Sequence, residues 1–341
     1  MPPEMPPEDK SIFAEMGLKA FDIKDEPMPR GAWWWWWWLF MFDNPDDPDR
    51  PRQLMILWST KNVKKIDCND LLIKLDDSQD RSKLDGVVAA WYFDGEEMHH
   101  NFLLEQCYLK VSDTELLSDS KIPTSFSVDG AVNSVKIGDD FNFISEVEDI
   151  NEFTIPVNNS HAYIGSLGYS ILRLNRLGLK GEVNGEQIQG SSYFQRVFVT
   201  APAVPWYWGI FHFENGAILS YFNPNVFGIT IAKDISFFDG KRMHEIKEVK
   251  VVRSGGDIPT FTVLGENEDE KMSFTVSSYS HSSWTFKKRT LGIIPNKLVY
   301  NEYPAVISDL RFTNKKTGEE ITLEDLGRSV GNAEHTTGLL L

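Results

Sequence analysis

The sequence predicts an all-β protein built as two antiparallel β-barrels. Short apolar and aromatic runs recur at roughly even spacing from residue 32 onward, hairpin formers such as Asp94-Gly95 and Asn215-Gly216 separate them, and helical periodicity is scarce. The composition agrees: 22 Phe, 11 Trp and 10 Tyr suit a pleated, half-buried surface. At 341 residues the chain is long enough for two domains.

Residues 1–30 are rich in proline and acidic residues and read as an N-terminal arm. The first strand spans 32–42 and holds six consecutive tryptophans, Trp33 to Trp38, followed by Leu39-Phe40-Met41-Phe42. The run is too short to span a membrane as a helix, which takes about 20 apolar residues. As a strand it places Trp33, Trp35 and Trp37 on one face and Trp34, Trp36 and Trp38 on the other. Both faces are then aromatic and both must meet something apolar, which points to a ligand cavity on one side and packed protein on the other. Residues 43–48 form a turn-rich loop, and strands follow at 53–59, 87–93 and 98–111, the last two joined at Asp94-Gly95. Further strands fit 124–128, 134–137, 141–147 and 151–157. A second series begins near Gly181, with a turn at Val183-Asn184-Gly185. Its strands are expected at 193–200, 207–213, 218–222, 230–232, 249–252, 260–264, 272–278, 284–287, 297–306 and 310–313. The expected barrels are therefore residues 31–180 and 181–341.

The formal charge of −16 argues against nucleic acid, because the basic clusters Lys287-Lys288-Arg289 and Lys315-Lys316 are short and isolated. Two cysteines, Cys68 and Cys107, make neither a disulfide framework nor a zinc pattern, and are expected as buried free thiols. The N-terminus has no secretory signature and no segment reads as a spanning helix, so a cytoplasmic protein with at most peripheral membrane contact is expected. Nucleotide-binding glycine loops and the Gly-x-Ser-x-Gly elbow are missing.

The densest aromatic stretch runs from Tyr193 through Pro205-Trp206-Tyr207-Trp208 to Phe213. Together with Gly31-Ala32, the tryptophan run and Leu39-Phe40-Met41-Phe42-Asp43, it resembles the lipocalin-like superfamily of carotenoid 1,2-hydratases, also called AttH-like or hydroxyneurosporene-synthase-like. The resemblance extends in order over most of residues 32–325. It implies two lipocalin-like (calycin) barrels packed together, and a greasy unsaturated substrate handled without metal or organic cofactor. Members of that group hydrate acyclic carotenoids, an archaeal branch hydrates the isoprenoid chains of ether lipids, and others are pericyclases on polyenes. One departure matters: where carotenoid hydratases tend to carry an acid after the Tyr193 position, this chain reads Val197-Phe198-Val199-Thr200-Ala201-Pro202, so a proton donor does not carry over from there.

Hydrating a trisubstituted alkene needs a proton donor at one carbon and water at the other, by way of a tertiary cation. Burial keeps a carboxylic acid protonated, and aromatic faces stabilise the cation. Glu302 is the leading acid because it interrupts the apolar strand Leu298-Val299-Tyr300-Asn301-Glu302-Tyr303, where an unpaired charge is costly. Asp94, beside a hairpin turn, is a second candidate, and Glu105 a weaker one. His212 shares a strand face with Trp206, Trp208 and Ile210, and is a candidate for orienting water. Tyr221 and Asn223, two residues apart, could hold that water. Trp33, Trp35, Trp37, Trp91, Tyr193, Trp206 and Trp208 are the expected lining of the substrate site. His99-His100 does not make a metal motif, since adjacent strand residues point oppositely. The expected activity is hydration of an isoprenoid double bond; a pericyclase or isomerase on a polyene, and a non-enzymatic carrier of an apolar lipid, are the alternatives.

Overall fold

A computed structural model describes residues 20–21, 28–29, 31–63, 65–75, 80–147, 160–164, 166–224, 233–290 and 294–340. The strands are β1 (Trp33–Phe42), β2 (Arg52–Lys61), β3 (Ile66–Cys68), β4 (Leu71–Ile73), β5 (Leu84–Phe93), β6 (Met98–Val111), β7 (Glu115–Ser118), β8 (Thr124–Asp129), β9 (Val132–Ile137), β10 (Phe141–Glu146), β11 (Ser160–Ile164), β12 (Leu167–Val183) and β13 (Glu186–Val199). The second half holds β14 (Trp206–Phe213), β15 (Ile218–Pro224), β16 (Asp234–Phe238), β17 (Met243–Ile246), β18 (Val249–Ser254), β19 (Thr260–Glu266), β20 (Glu270–Ser278), β21 (Ser282–Thr290), β22 (Ile294–Asn314), β23 (Glu320–Thr322) and β24 (Ser329–Leu339), with one short helix, α1 (Leu323–Leu326), before β24. The expected strands at 151–157 and 230–232 lie outside the described residues.

The first sheet runs β10-β9-β8-β7-β6-β5-β2-β1-β13-β12, and β10 pairs with β12 to close it into a ten-stranded antiparallel barrel, with β11 added beside β12. Closure removes the sheet edges that would otherwise invite pairing with another chain. The second sheet runs β17-β16-β15-β14-β24-β22-β20-β19-β18. The chain changes sheet between Val199 and Trp206, not at residue 181. β12 and β13 are one hairpin in the first sheet, joined by Asn184 (φ 52°) and Gly185 (φ 83°). Positive φ at both central residues is the two-residue turn that matches strand twist. Conversely, β3 and β4 join the second sheet, because β3 pairs with β21.

β1 divides its side chains as the strand period requires. Trp34, Trp36, Trp38, Phe40 and Phe42 face the barrel interior, where they pack with Trp58, Phe126, Phe143 and Phe194. Phe40 stacks on Trp38 at 5.4 Å and on Phe143 at 4.1 Å, centroid to centroid. Phe21, from the N-terminal arm, enters the same cluster 4.8 Å from Phe126, and Ala20 accepts the Trp36 indole N–H at 2.7 Å. The barrel interior is thus a filled core. The odd-numbered side Trp37, Leu39 and Met41 packs instead against the second sheet, with Met55, Trp91, Tyr193, Trp208, Ile210 and Trp284. The second sheet keeps its own core on its far side, around Phe211, Tyr221, Phe261, Phe274 and Phe312.

This division makes a prediction. Phe40→Ala empties a fully buried ring position and should lower unfolding stability by about 3–5 kcal/mol in a denaturant titration. Trp35→Ala, on the opposite face, should cost much less; equal losses would contradict the filled interior.

Candidate active site

Between the outer face of the barrel and the facing side of the second sheet lies a cavity of about 1050 Å³. This is at the upper end of the range for small-molecule sites. β1 supplies Trp33, Trp35 and Trp37; β14 supplies Trp206 and Trp208; β21 supplies Trp284; β22 supplies Tyr300; and β24 supplies Glu334. Glu334 is the one carboxyl among the described lining residues.

Strand pairing puts that carboxyl next to a second one. Across the second sheet, Trp208, Glu334, Glu302 and Ser282 form one row of directly opposed residues. Glu302 is fully buried and Glu334 is 4% exposed. Among the described residues neither has a cation against it; their partners are indoles and a phenol. Trp91 and Trp284 each donate an indole N–H to Glu302 Oε2 at 2.8 Å. Trp206 donates to Glu334 Oε2 at 3.0 Å. The Tyr300 hydroxyl donates to Glu334 Oε1 and lies 3.4 Å from Glu302 Oε1. The Trp37 indole approaches Glu302 but makes no hydrogen bond of ordinary geometry.

Burial raises the pKa of both acids, and the neighbouring Glu334 charge raises that of Glu302 further; the indole donors offset this only in part. Two carboxylates in one dry site cannot both ionise cheaply, so the pair retains a proton where an exposed glutamate has lost its own. With Glu302 Oε2 occupied by two indoles, its proton belongs on Oε1, facing Tyr300. Tyr300 is pushed well above the ordinary phenol range by burial and by both carboxyls, and stays a hydroxyl. The arrangement reads Glu302, Tyr300, Glu334, cavity: a buried acid, a hydroxyl able to pass a proton, and an acid at the apolar surface.

The residues singled out from sequence separate clearly. Trp33, Trp35, Trp37, Trp206 and Trp208 line the cavity. Glu302 and Trp91 lie behind it, bonded to each other. Tyr193 packs beneath, 5.7 Å from Trp37 and 5.5 Å from Trp208, with its hydroxyl donating to Gln195 at 3.2 Å. His212 is outside the cavity lining. Its ring nitrogens contact Ser191 Oγ and the Asn175 carbonyl, both at 2.7 Å, and burial lowers its pKa to about 3. It is a neutral pin between the sheets. Asp94 caps its own hairpin, accepting the backbone N–H of Glu96 at 2.9 Å and of Glu97 at 2.8 Å, with His99 at 2.6 Å. Tyr221 and Asn223 do share a face, but it is the far one: Tyr221 is in the second-sheet core, and Asn223 reaches the Val249 carbonyl at 3.4 Å. Their neighbours Phe222 and Pro224 are the ones that line the cavity. Glu105 accepts the backbone N–H of Lys121 at 3.0 Å, away from the cavity.

Sequence reasoning passed over Glu334. It lies in Ser329-Val330-Gly331-Asn332-Ala333-Glu334-His335-Thr336, where no apolar alternation marks a strand. The signal available was the pairing of two unusual features, a glutamate in an apolar strand and a polar segment, Asn332 to Thr337, free of Gly and Pro.

Cys68 and Cys107 are buried free thiols, pushed up to about 12 by burial. Among the described residues no group of three or more His, Cys, Asp or Glu is placed to hold a metal ion. No described helix is long and apolar enough to cross a membrane.

No family model matches the sequence, and no curated protein matches it. Solved structures do. A protein from Nitrosomonas europaea, provisionally described as an AttH, superposes with a TM-score of 0.52 at 12% identity, covering 90% of this chain and 92% of that one. Kievitone hydratase from Nectria haematococca aligns over 91% of this chain and 89% of its own, at 11% identity and a TM-score of 0.37. The first likeness is one of fold: the all-β, two-layer architecture extends over nearly the whole of both chains.

The acid pair also sets a stability profile. Below the unfolded carboxyl pKa near 4.5, folded and unfolded chains are both protonated. Above it the unfolded chain releases protons that the native pair keeps, so stability falls as pH rises, by at most about 1.4 kcal/mol per pH unit for each group, until the pair ionises. Denaturant titrations from about pH 5 to about pH 9 should show this loss. Glu302→Gln should flatten it, and an unchanged slope would contradict a shared buried proton.

Proposed function

We propose that the protein is a hydratase that adds water to a carbon–carbon double bond of an isoprenoid chain, without a cofactor. The observation that carries this reading is the protonated carboxyl pair opening onto an aromatic, apolar cavity. A protein that only carries lipid has no use for one buried acid in its wall and a second behind it, neither neutralised by a described cation, and their desolvation costs stability.

In this reading the proton held by Glu302 passes through the Tyr300 hydroxyl to Glu334, which delivers it to one alkene carbon, leaving a tertiary cation on the other. The faces of Trp35, Trp37 and Trp208 stabilise that cation, each by about 1–2 kcal/mol in a dry site. Water bonds to the cationic carbon and returns its surplus proton to the Glu334–Glu302 pair, with Tyr300 passing it between them. The net change is one water added and the acid restored. The apolar, aromatic lining leaves few groups that could hold water beside the cation, which limits its unselective capture. The substrate is an unsaturated ether-lipid precursor of the archaeal type or an acyclic carotenoid.

Expression in a host making unsaturated isoprenoids, followed by mass spectrometry of the lipids, should show the gain of one water, with oxygen from labelled solvent. Glu334→Gln should lower turnover by about a hundredfold or more while an apolar ligand still binds. Turnover should fall as pH rises through the raised titration of the pair. A rearranged product without solvent oxygen would assign a pericyclase or isomerase instead, and a ligand recovered unchanged would assign a carrier.

A further inference from the structure

Lys61 ends β2, and its side chain is part of the cavity wall although only 8% of it is exposed. Among the described residues its ammonium makes neither a hydrogen bond nor an ion pair, and it sits 4.0 Å from the centroid of the Trp33 ring. The charge that acts on it comes from Lys288 on β21, a second cation, two residues beyond the cavity-lining Phe286. Burial and that neighbour bring the amine down to about 7. On the adjacent strand β5, Asp85 lies two residues before Val87, the partner position of Ser59, and its backbone carbonyl accepts the Thr60 hydroxyl at 2.8 Å.

A buried ammonium facing another cation is a poor arrangement in the free protein and a good one for receiving an anion. The other cation of the wall, Arg173, is differently placed, since it acts on the Asp234 carboxyl and on the Tyr193 and Tyr169 phenols. Lys61 adjoins Trp33 at one end of β1. The acid pair adjoins Trp37 and Trp208, which meet at 6.0 Å. Four residues of strand separate Trp33 from Trp37, about 13 Å.

The geometry points to Lys61 as the anchor for the anionic head group of an amphiphile whose apolar chain runs along Trp33, Trp35 and Trp37 toward Glu334. This rests on the reading of the cavity as an isoprenoid site, and it narrows the substrate class to chains ending in a phosphate monoester or carboxylate. The unsaturation to be attacked would then lie about 13 Å from that head group.

The test is binding rather than turnover. Tryptophan quenching of the full-length protein is measured with farnesyl monophosphate, farnesoic acid and farnesol, and repeated with Lys61→Met, which keeps the length of the side chain. The anions should bind the wild type about tenfold or more tighter than the alcohol. In Lys61→Met they should fall to the level of the alcohol, with farnesol affinity unchanged. The tighter of the two anions names the head group. Equal affinity of all three ligands for the wild type, or a preference that survives Lys61→Met, overturns the anchor while leaving the cavity a lipid site. No binding of any of the three overturns both.

Discussion

β1 has no face to spare for solvent. Its even-numbered rings complete the core of a closed barrel, and its odd-numbered rings complete a cavity on the outside of the same barrel. Six tryptophans in a row satisfy both demands because a strand alternates strictly. Moving the register by one residue would exchange the two sets. The cavity therefore inherits its position from the barrel: Trp33, Trp35 and Trp37 are held from behind by Trp34, Trp36 and Trp38. A ligand wall built on a rigid strand in this way holds its geometry better than one built on loops.

The second sheet supplies what the barrel cannot. Its three neighbouring strands β14, β24 and β22 place Trp208, Glu334 and Glu302 in one row, and the adjacent positions Trp206 and Tyr300 bring the donors that make two buried carboxyls tolerable. These donors are neutral. A lysine or arginine in the same place would hold the acids ionised; indole and phenol groups satisfy oxygen atoms without removing the proton. The site is thus acidic in the chemical sense, a store of a transferable proton inside an apolar wall.

Much of this was legible in the chain itself. The Trp33–Phe42 strand, the Asp94-Gly95 and Asn184-Gly185 turns and the β6 limits at Met98 and Val111 follow from alternation and turn chemistry, which are local properties. Glu302 was legible because an acid inside an aromatic strand is conspicuous. Glu334 was not, because β24 reads as polar, and its polar side chains are buried by strand partners more than twenty residues away in sequence. The same non-locality explains His212: it lies on the face expected for it, but Ser191 and Asn175 of the barrel, unseen from its own strand, occupy both ring nitrogens. The turn after Val183 marked a hairpin correctly, yet nothing in a turn says which sheet its strands will join.

The cavity is lined by residues that are far apart along the chain, Trp33 at one extreme and Leu339 at the other. Contacts of such span carry the largest loop-closure cost and form late. The cavity takes its walls from both sheets, and β3 and β4, taken from the first half to extend the second sheet, tie the two assemblies together. Partly folded chains consequently expose the aromatic walls without enclosing them. An intact cavity is then a property of the finished molecule alone, and any apolar compound that fits it, if present during refolding, would favour the final docking step by mass action.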